Sequence, residues 1–217
     1  MNYKVVMLDF DGTTACTVPA IYHAAQKMLG NHGYKVDKEI VYKNFALALP
    51  FAFRCFSGDD TIDDATIEQM IVEYNNIYKE ESEKLVELFD GVIETLDRLK
   101  KEGVKVVITS NNVKPVLRRL TTNLNIAQYI DDIVSVKDVE NVKPAPDIAI
   151  EALRRYNIKP EEALVVGDAT LDMDMGRGAG CHLCGVSFGS HSPEMLRERG
   201  ARYIIDNFSE LQKIVLG

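Results

Sequence analysis

Several functional classes are excluded by what this sequence of 217 residues has little of. Its four cysteines, Cys16, Cys55, Cys181 and Cys184, are too few and too scattered to staple a small secreted domain, so a reducing, cytoplasmic setting is expected. Cys181-His182-Leu183-Cys184 has CxxC spacing, but no second pair stands in register with it. It reads as small apolar residues in and just before a buried strand. No apolar run approaches the roughly 18–20 residues that span a bilayer. The opening Met1-Asn2-Tyr3-Lys4 leads into a short run ended by Asp9, so neither signal peptide nor membrane anchor is expected. Positive charge is also short: 25 Lys and Arg face 33 Asp and Glu, for a net charge of −8. Phosphate backbones and anionic lipid surfaces are held by a surplus of Lys and Arg, so nucleic-acid and membrane partners are disfavoured. Internal repeats and low-complexity or linker-like stretches are missing as well, which leaves domain boundaries to be read from changes of pattern.

What is present suits a folded enzyme-sized chain. Hydrophobic residues make up 46% and charged ones 27%, enough for a sizeable core in one or two domains. Short β-branched runs read as buried strands at Val5–Asp9, Val104–Thr109, Ile133–Val136, Ala163–Val166, Leu183–Val186 and Tyr203–Ile205. Helical spacing appears between them: Val92, Ile93, Leu96 and Leu99; Val116, Leu117, Leu120 and Leu124; Ile148, Ala149, Ala152, Leu153 and Tyr156. Pro146 suits a first helical turn, and Asp90 is a candidate cap for the helix ending before Gly103. Strand alternating with helix from residue 91 onward predicts an α/β fold, a Rossmann-like doubly wound parallel sheet. Residues 15–84 break the alternation. They offer only helical patterns, with Pro19 opening one helix and Ile67, Met70, Ile71, Tyr74, Ile77 and Tyr78 striping another. The expected organisation is therefore a core of residues 1–14 and 85–217 with an all-helical cap domain, 15–84, inserted after the first strand. In open α/β sheets ligands sit at the carboxyl ends of strands, where such an insertion would stand over the site.

Chemistry-bearing residues collect at those strand ends. Asp9-Phe10-Asp11-Gly12-Thr13 carries two carboxylates two residues apart, which in extended chain share a face, with Gly12 allowing a turn. The second strand ends in Thr109-Ser110-Asn111, hydroxyls and an amide suited to phosphate oxygens. Lys143 lies between a strand and a Pro-opened helix, and the fourth strand ends in Val166-Gly167-Asp168-Ala169-Thr170-Leu171-Asp172. Singly, each admits a plain reading: an acidic turn, a solvated lysine, helix caps at Asp168 or Asp172. Together, four successive strands deliver an acid pair, a hydroxyl, a lysine and an acid pair to one edge. Clustered carboxylates repel unless a cation is present, and an oxygen-only donor set without a His or Cys cluster points to a hard ion, Mg²⁺ first. An anionic ligand completes the charge balance, and phosphate fits.

In this order the four motifs resemble the haloacid dehalogenase-like superfamily, over essentially the whole chain. The likeness includes a helical insertion in the position of that family's first-type cap and the late segments Gly178-Ala179-Gly180 and Gly185-Val186-Ser187-Phe188-Gly189. The resemblance implies a Mg²⁺-dependent phosphatase acting on a small phosphorylated metabolite, near the phosphoglycolate phosphatase and β-phosphoglucomutase branch. It implies Asp9 as the nucleophile that becomes an aspartyl-phosphate, and Asp11 as general acid and then base. Thr109, with the backbone around Ser110 and Asn111, would hold the phosphoryl group, and Lys143 would neutralise its charge. Asp168 would ligate the metal with the Asp9 carboxylate and the Asp11 carbonyl, with Asp172 supporting the site from behind or through water. Asp11 separates the chain from haloalkanoate dehalogenases and phosphonatases, which lack an Asp there.

Two departures stand out. Thr14 replaces the Leu that relatives commonly carry, followed by an unusual Ala15-Cys16-Thr17, which is expected to alter the entry to the cap and not the chemistry. The stretch Phe45–Arg54 resembles the substrate-facing cap loop; Phe45, Leu49 and Phe53 read as core at helical spacing, and Arg54 is a candidate contact for a substrate carboxylate or second phosphate. A phosphosugar mutase, a pyrophosphatase and a non-catalytic phosphate-ligand-binding protein are the alternatives. Neither the substrate nor the oligomeric state is legible.

Overall fold

Buried β-branched runs, each too short to be anything but a strand, set the frame. The computed structural model describes residues 3–217; the Met1-Asn2 opening lies outside them. The strands are β1 (Val5–Leu8), β2 (Ala15–Cys16), β3 (Glu87–Leu88), β4 (Lys105–Ser110), β5 (Asp132–Ser135), β6 (Ala163–Gly167), β7 (His182–Val186) and β8 (Tyr203–Ile205). Six of them form one sheet in the order β5-β4-β1-β6-β7-β8, and its pairs are parallel. Parallel strands need crossovers, and the helices that supply them cover the sheet, which is why these runs are apolar on both faces. The chain enters at β1 in the middle, builds outward through β4 and β5, then returns to β6 on the other side of β1. That reversal of strand order falls at β1, the kind of position beside which open α/β sheets place their ligands.

The chain divides into two compact units, Met1–Ala15 with Leu88–Gly217, and Cys16–Glu87. The first contains the sheet, and the second is helical: α1 (Val18–Asn31), α2 (Lys38–Asn44), α3 (Leu49–Ser57) and α4 (Asp64–Leu85). In it, small residues Ala20, Ala24 and Ala25 of α1 let that helix approach α4, which buries Ile67, Met70, Tyr74 and Tyr78. Tyr74 stacks on Tyr78 and takes the edge of Phe53. The spacing of Phe45, Leu49 and Phe53 is not that of one helix: α2 stops at Asn44, a turn carries Phe45, and α3 starts at Leu49, so Phe45 and Phe53 reach the core from different segments.

In the sheet unit the remaining helices are α5 (Val92–Lys101), α6 (Lys114–Asn123), α7 (Asp147–Tyr156), α8 (Thr170–Gly178), α9 (Pro193–Glu198) and α10 (Leu211–Leu216). Val5, Met7, Val107, Val134, Val165 and Leu183 pack on Ile148, Ala149, Ala152 and Leu153 of α7 and Met173 and Met175 of α8. Alternate residues point the other way. Val6, Leu8, Val106, Ile108, Leu164 and Val166 are also buried, and α5, packed on β4 and α10, helps form that second layer. Asp90 does not cap α5. The cap position is Gly91 at φ 86°, and a Cβ there would sit 2.9 Å from the Ser209 nitrogen, so the chain turns too tightly for a side-chain cap. Cys181 and Cys184 are free, and burial pushes both thiols up to about 12, so the CxxC pair is packing. No helix among the described residues is long and apolar enough to cross a membrane.

One ion network pins the loop that follows β5. Arg155 of α7 donates to Glu151 (2.8 Å), Asp132 (2.8 Å) and Asp138 (2.7 Å), and Lys114 adds a bond to Asp138 at 3.0 Å. Burial works to raise the Asp138 carboxyl, but hydrogen bonds from Arg155, Lys114 and Ser135 outweigh it and hold it well below the ordinary range. Arg154 and Arg155 hold Glu151 down to about 2. Both carboxyls ionise more readily folded than unfolded, so their contribution is complete above about pH 5 and is lost as pH falls through 4 toward 2. Arg155→Ala is expected to lower stability near neutrality by about 1–2 kcal/mol and to flatten this acid limb. Urea unfolding at several pH values checks it; an unchanged acid limb would show that the network does not hold the loop.

Candidate active site

Parallel registry brings the ends of β1, β4 and β6 level, since Leu8 pairs with both Ile108 and Val166. Asp9 therefore follows the end of β1 beside the Thr109-Ser110 end of β4 and the Gly167-Asp168 end of β6, its own N–H bound to the Val166 carbonyl at 2.9 Å. Beyond it the chain turns sharply: Gly12 has φ 91° and donates to the Ala15 carbonyl at 2.9 Å, while Asp11 forms an isolated bridge with Ala15. Thr14, the residue where Leu is usual, donates its hydroxyl to the Asp9 carbonyl at 2.7 Å. Its polarity braces the turn beneath Asp9.

Lys143 is the hub. Its ammonium donates to Asp9 Oδ1 (2.7 Å), Asp172 Oδ1 (2.6 Å) and the Thr109 carbonyl (2.8 Å), filling its three donor positions while almost fully buried. Burial works to lower its pKa, but Asp172 and Asp9 overcome this and hold it raised, so the group stays charged. Asn111 fixes the lysine from its backbone, accepting from the Lys143 N–H at 3.0 Å and donating to its carbonyl at 3.3 Å. Ser110 is buried with its hydroxyl accepting from the Asn112 N–H at 3.0 Å, and the buried Thr109 Oγ1 has no hydrogen-bond partner among the described residues. A buried hydroxyl is costly to leave unsatisfied.

Asp172 serves two ends. Its Oδ2 accepts from the Ala169 N–H at 3.1 Å at the start of α8, and its Oδ1 takes Lys143, so cap and site residue are one side chain. Asp168 accepts from Thr13 Oγ1 (3.0 Å) and the Ser190 N–H (2.8 Å). Gly167 and Gly189 make these approaches possible: a Cβ on Gly167 would lie 2.3 Å from Asp172 Cβ, and one on Gly189 2.1 Å from Asp168 Cβ. Thr13, Ser190, His191 and these two glycines were not assigned roles from sequence. Thr13 sits inside a recognised motif and could have been suspected; nothing in the run after β7 signals a contact with Asp168. Arg54 lies in the other unit, where it donates to the Ile62 carbonyl at 2.9 Å, the Pro50 carbonyl at 3.3 Å and Asp64 at 2.7 Å. These bonds tie α3 to the start of α4.

Asp9, Asp168 and Asp172 offer oxygen atoms within 4.8 Å of one another, all buried. Burial, followed by the neighbouring Asp172, raises Asp168 to about 6. Asp9 is raised as well, chiefly by burial, with Lys143 pulling it down and Asp172, Asp168 and Asp11 pushing it up. Three carboxylates around one ammonium favour a further positive charge. The all-oxygen donor set suits a hard divalent ion.

The model of the family described as haloacid dehalogenase-like hydrolase matches residues 6–186. The chain belongs to that family. It is an enzyme, a hydrolase with its acids at the carboxyl edge of the sheet. Pyrophosphatase PpaX of Bacillus mycoides is 31% identical over 217 residues, 99% of this chain and 98% of that one. Pyrophosphatase PpaX of Bacillus thuringiensis (strain Al Hakam) is 28% identical over 219 residues, 99% of this chain and 97% of its own. The crystal structure of a predicted phosphatase from Clostridium acetobutylicum superposes with TM-score 0.88 at 25% identity, covering 100% of this chain and 99% of that one.

Lys143→Met would leave the buried carboxylates without their fixed cation. The metal-free variant is expected to lose about 3–5 kcal/mol, with Mg²⁺ restoring part of the loss. Urea titrations with and without Mg²⁺ measure it, and wild-type stability without metal would refute the charge balance described.

Proposed function

We propose that this hydrolase is a Mg²⁺-dependent phosphatase acting on a small phosphorylated compound through an aspartyl-phosphate on Asp9. The carrying observation is the Lys143 ammonium bound to Asp9 inside a buried oxygen cluster. A carboxylate approaching a phosphoryl group meets like charge, so positive charge placed beforehand is what the reaction needs. In this reading Asp9, Asp168 and the Asp11 carbonyl hold the Mg²⁺, with Asp172 acting behind them. When bound, the ion neutralises phosphoryl oxygens and screens Asp9.

An Asp9 carboxylate oxygen attacks phosphorus, and the bond from phosphorus to the leaving oxygen breaks. Asp11 gives that oxygen its proton. Asp11, now ionised, takes a proton from water as the water oxygen attacks phosphorus; the bond to Asp9 breaks, releasing phosphate and restoring the carboxylate. Thr109 Oγ1, with the N–H groups around Ser110 and Asn111, holds the phosphoryl oxygens, and Lys143 favours the ionised form of Asp9 and offsets the charge that develops.

A small phosphomonoester is the first substrate class. Pyrophosphate is the second, supported by the names of the Bacillus mycoides and Bacillus thuringiensis relatives, pyrophosphatases matched over nearly the whole chain. Phosphate release from small phosphomonoesters, phosphosugars, nucleotides and pyrophosphate decides between them. Selective turnover that needs Mg²⁺ and falls about a thousandfold or more in Asp9→Asn is expected. Turnover by Asp9→Asn near wild type would sink the nucleophile assignment, and isomerisation activated by a sugar bisphosphate would move the protein to the mutases. Asp11→Asn is expected to slow alkyl esters far more than an aryl phosphate, whose phenolate leaves without a proton. Equal losses on both would remove Asp11 from the acid role.

A further inference from the structure

The segment just beyond β7 is folded against Asp168 more tightly than chain connectivity requires. Ser190 donates its N–H to Asp168 Oδ2 (2.8 Å) and its hydroxyl to the Asp168 carbonyl (3.3 Å). His191 donates its N–H to the same carbonyl at 3.1 Å, and its Nδ1 accepts from the Thr170 N–H at 3.3 Å, the first residue of α8. Accepting there requires the neutral ring with its proton on Nε2. Gly189 completes the contact from the side: a Cβ at that position would lie 2.1 Å from Asp168 Cβ and 2.6 Å from its Oδ2. Gly189 does not have a left-handed φ, so close approach, and not backbone freedom, is what demands glycine here.

We propose that the turn Gly189-Ser190-His191 is a positioning element for the Mg²⁺ site, fixing the rotamer of Asp168 and joining it to the first turn of α8. The inference rests on the reading of Asp168 as a ligand. With Thr13 on Oδ1 and Ser190 on Oδ2, both carboxylate oxygens are held, and rotation about χ1 or χ2 breaks at least one bond. His191 ties the turn to Thr170, two residues along from Asp168 and two before Asp172, so the two acids of this strand end move as one piece. Outer contacts of this kind orient a ligand before the ion arrives and typically contribute ten- to hundredfold in affinity, as an order of magnitude.

The test is Mn²⁺ binding to substrate-free protein, followed by its electron spin resonance signal, with melting temperature as the control for folding. Gly189→Ala, whose Cβ must push Asp168 aside, is expected to lower the melting temperature and, in the folded protein, to weaken Mn²⁺ binding by about ten- to a hundredfold. His191→Ala is expected to weaken it by several-fold, and His191→Asn, whose side-chain oxygen can take the place of Nδ1, to return most of the loss. A merely structural turn would shift the melting temperature and leave affinity unchanged. Folded Gly189→Ala that binds Mn²⁺ within about twofold of wild type overturns the proposal. Should Gly189→Ala fail to fold, the His191 pair decides alone: equal affinity in wild type, Ala and Asn overturns it. Asp168→Asn separates the two levels. Loss of binding there with none in the turn variants defeats only the positioning role, whereas binding retained in Asp168→Asn defeats the ligand reading and the positioning role with it.

Discussion

A buried ammonium with three acceptors, two of them carboxylates, is the constraint around which the sheet unit is arranged. Lys143 cannot be stripped of water and left unpaired, so the chain must bring it Asp9 from β1, the Thr109 carbonyl from β4 and Asp172 from α8. Those partners come from three separate stretches of sequence, and satisfying them together fixes how the β1, β4 and β6 ends meet. Asn111 and the Arg155 network then hold the loop that carries the lysine. The same arrangement leaves more carboxylate than ammonium in a buried place, an excess that the proposed cation would balance.

The strands were legible because burial on both faces leaves continuous β-branched runs, and Tyr203–Ile205 is the observed β8 without adjustment. Three helices of the sheet unit, α5, α6 and α7, were legible from apolar spacing, with Pro146 falling one residue before α7, whereas α8, α9 and α10 were not read. Reading failed where local geometry overrides type: Gly91 occupies the cap that Asp90 was expected to fill, and Phe45 and Leu49 share spacing but not a helix. The first is a left-handed turn packed on Ser209, a long-range contact without a local signature.

At the site, side chains with chemistry of their own could be listed in advance, while their supports could not. Asp9, Lys143 and Asp168 announce themselves by type and position at strand ends. Gly167 and Gly189 act by what they lack, and Ser190 acts through its backbone N–H, which every residue except proline has. Thr14 shows the reverse case. Its departure from the usual residue was visible, but its bond to the Asp9 carbonyl follows only once the turn after β1 is closed.

The central claim is that this charge balance makes Asp9 the atom-accepting group of a phosphoryl transfer. The most direct measurement is acid quench of a single turnover with a substrate carrying a radiolabelled phosphoryl group, followed by peptide mapping of the trapped protein. The account predicts an acid-stable, hydroxylamine-labile label on the peptide containing Asp9, appearing before free phosphate. Phosphate released with no protein-bound label, or label on any other residue, would contradict it.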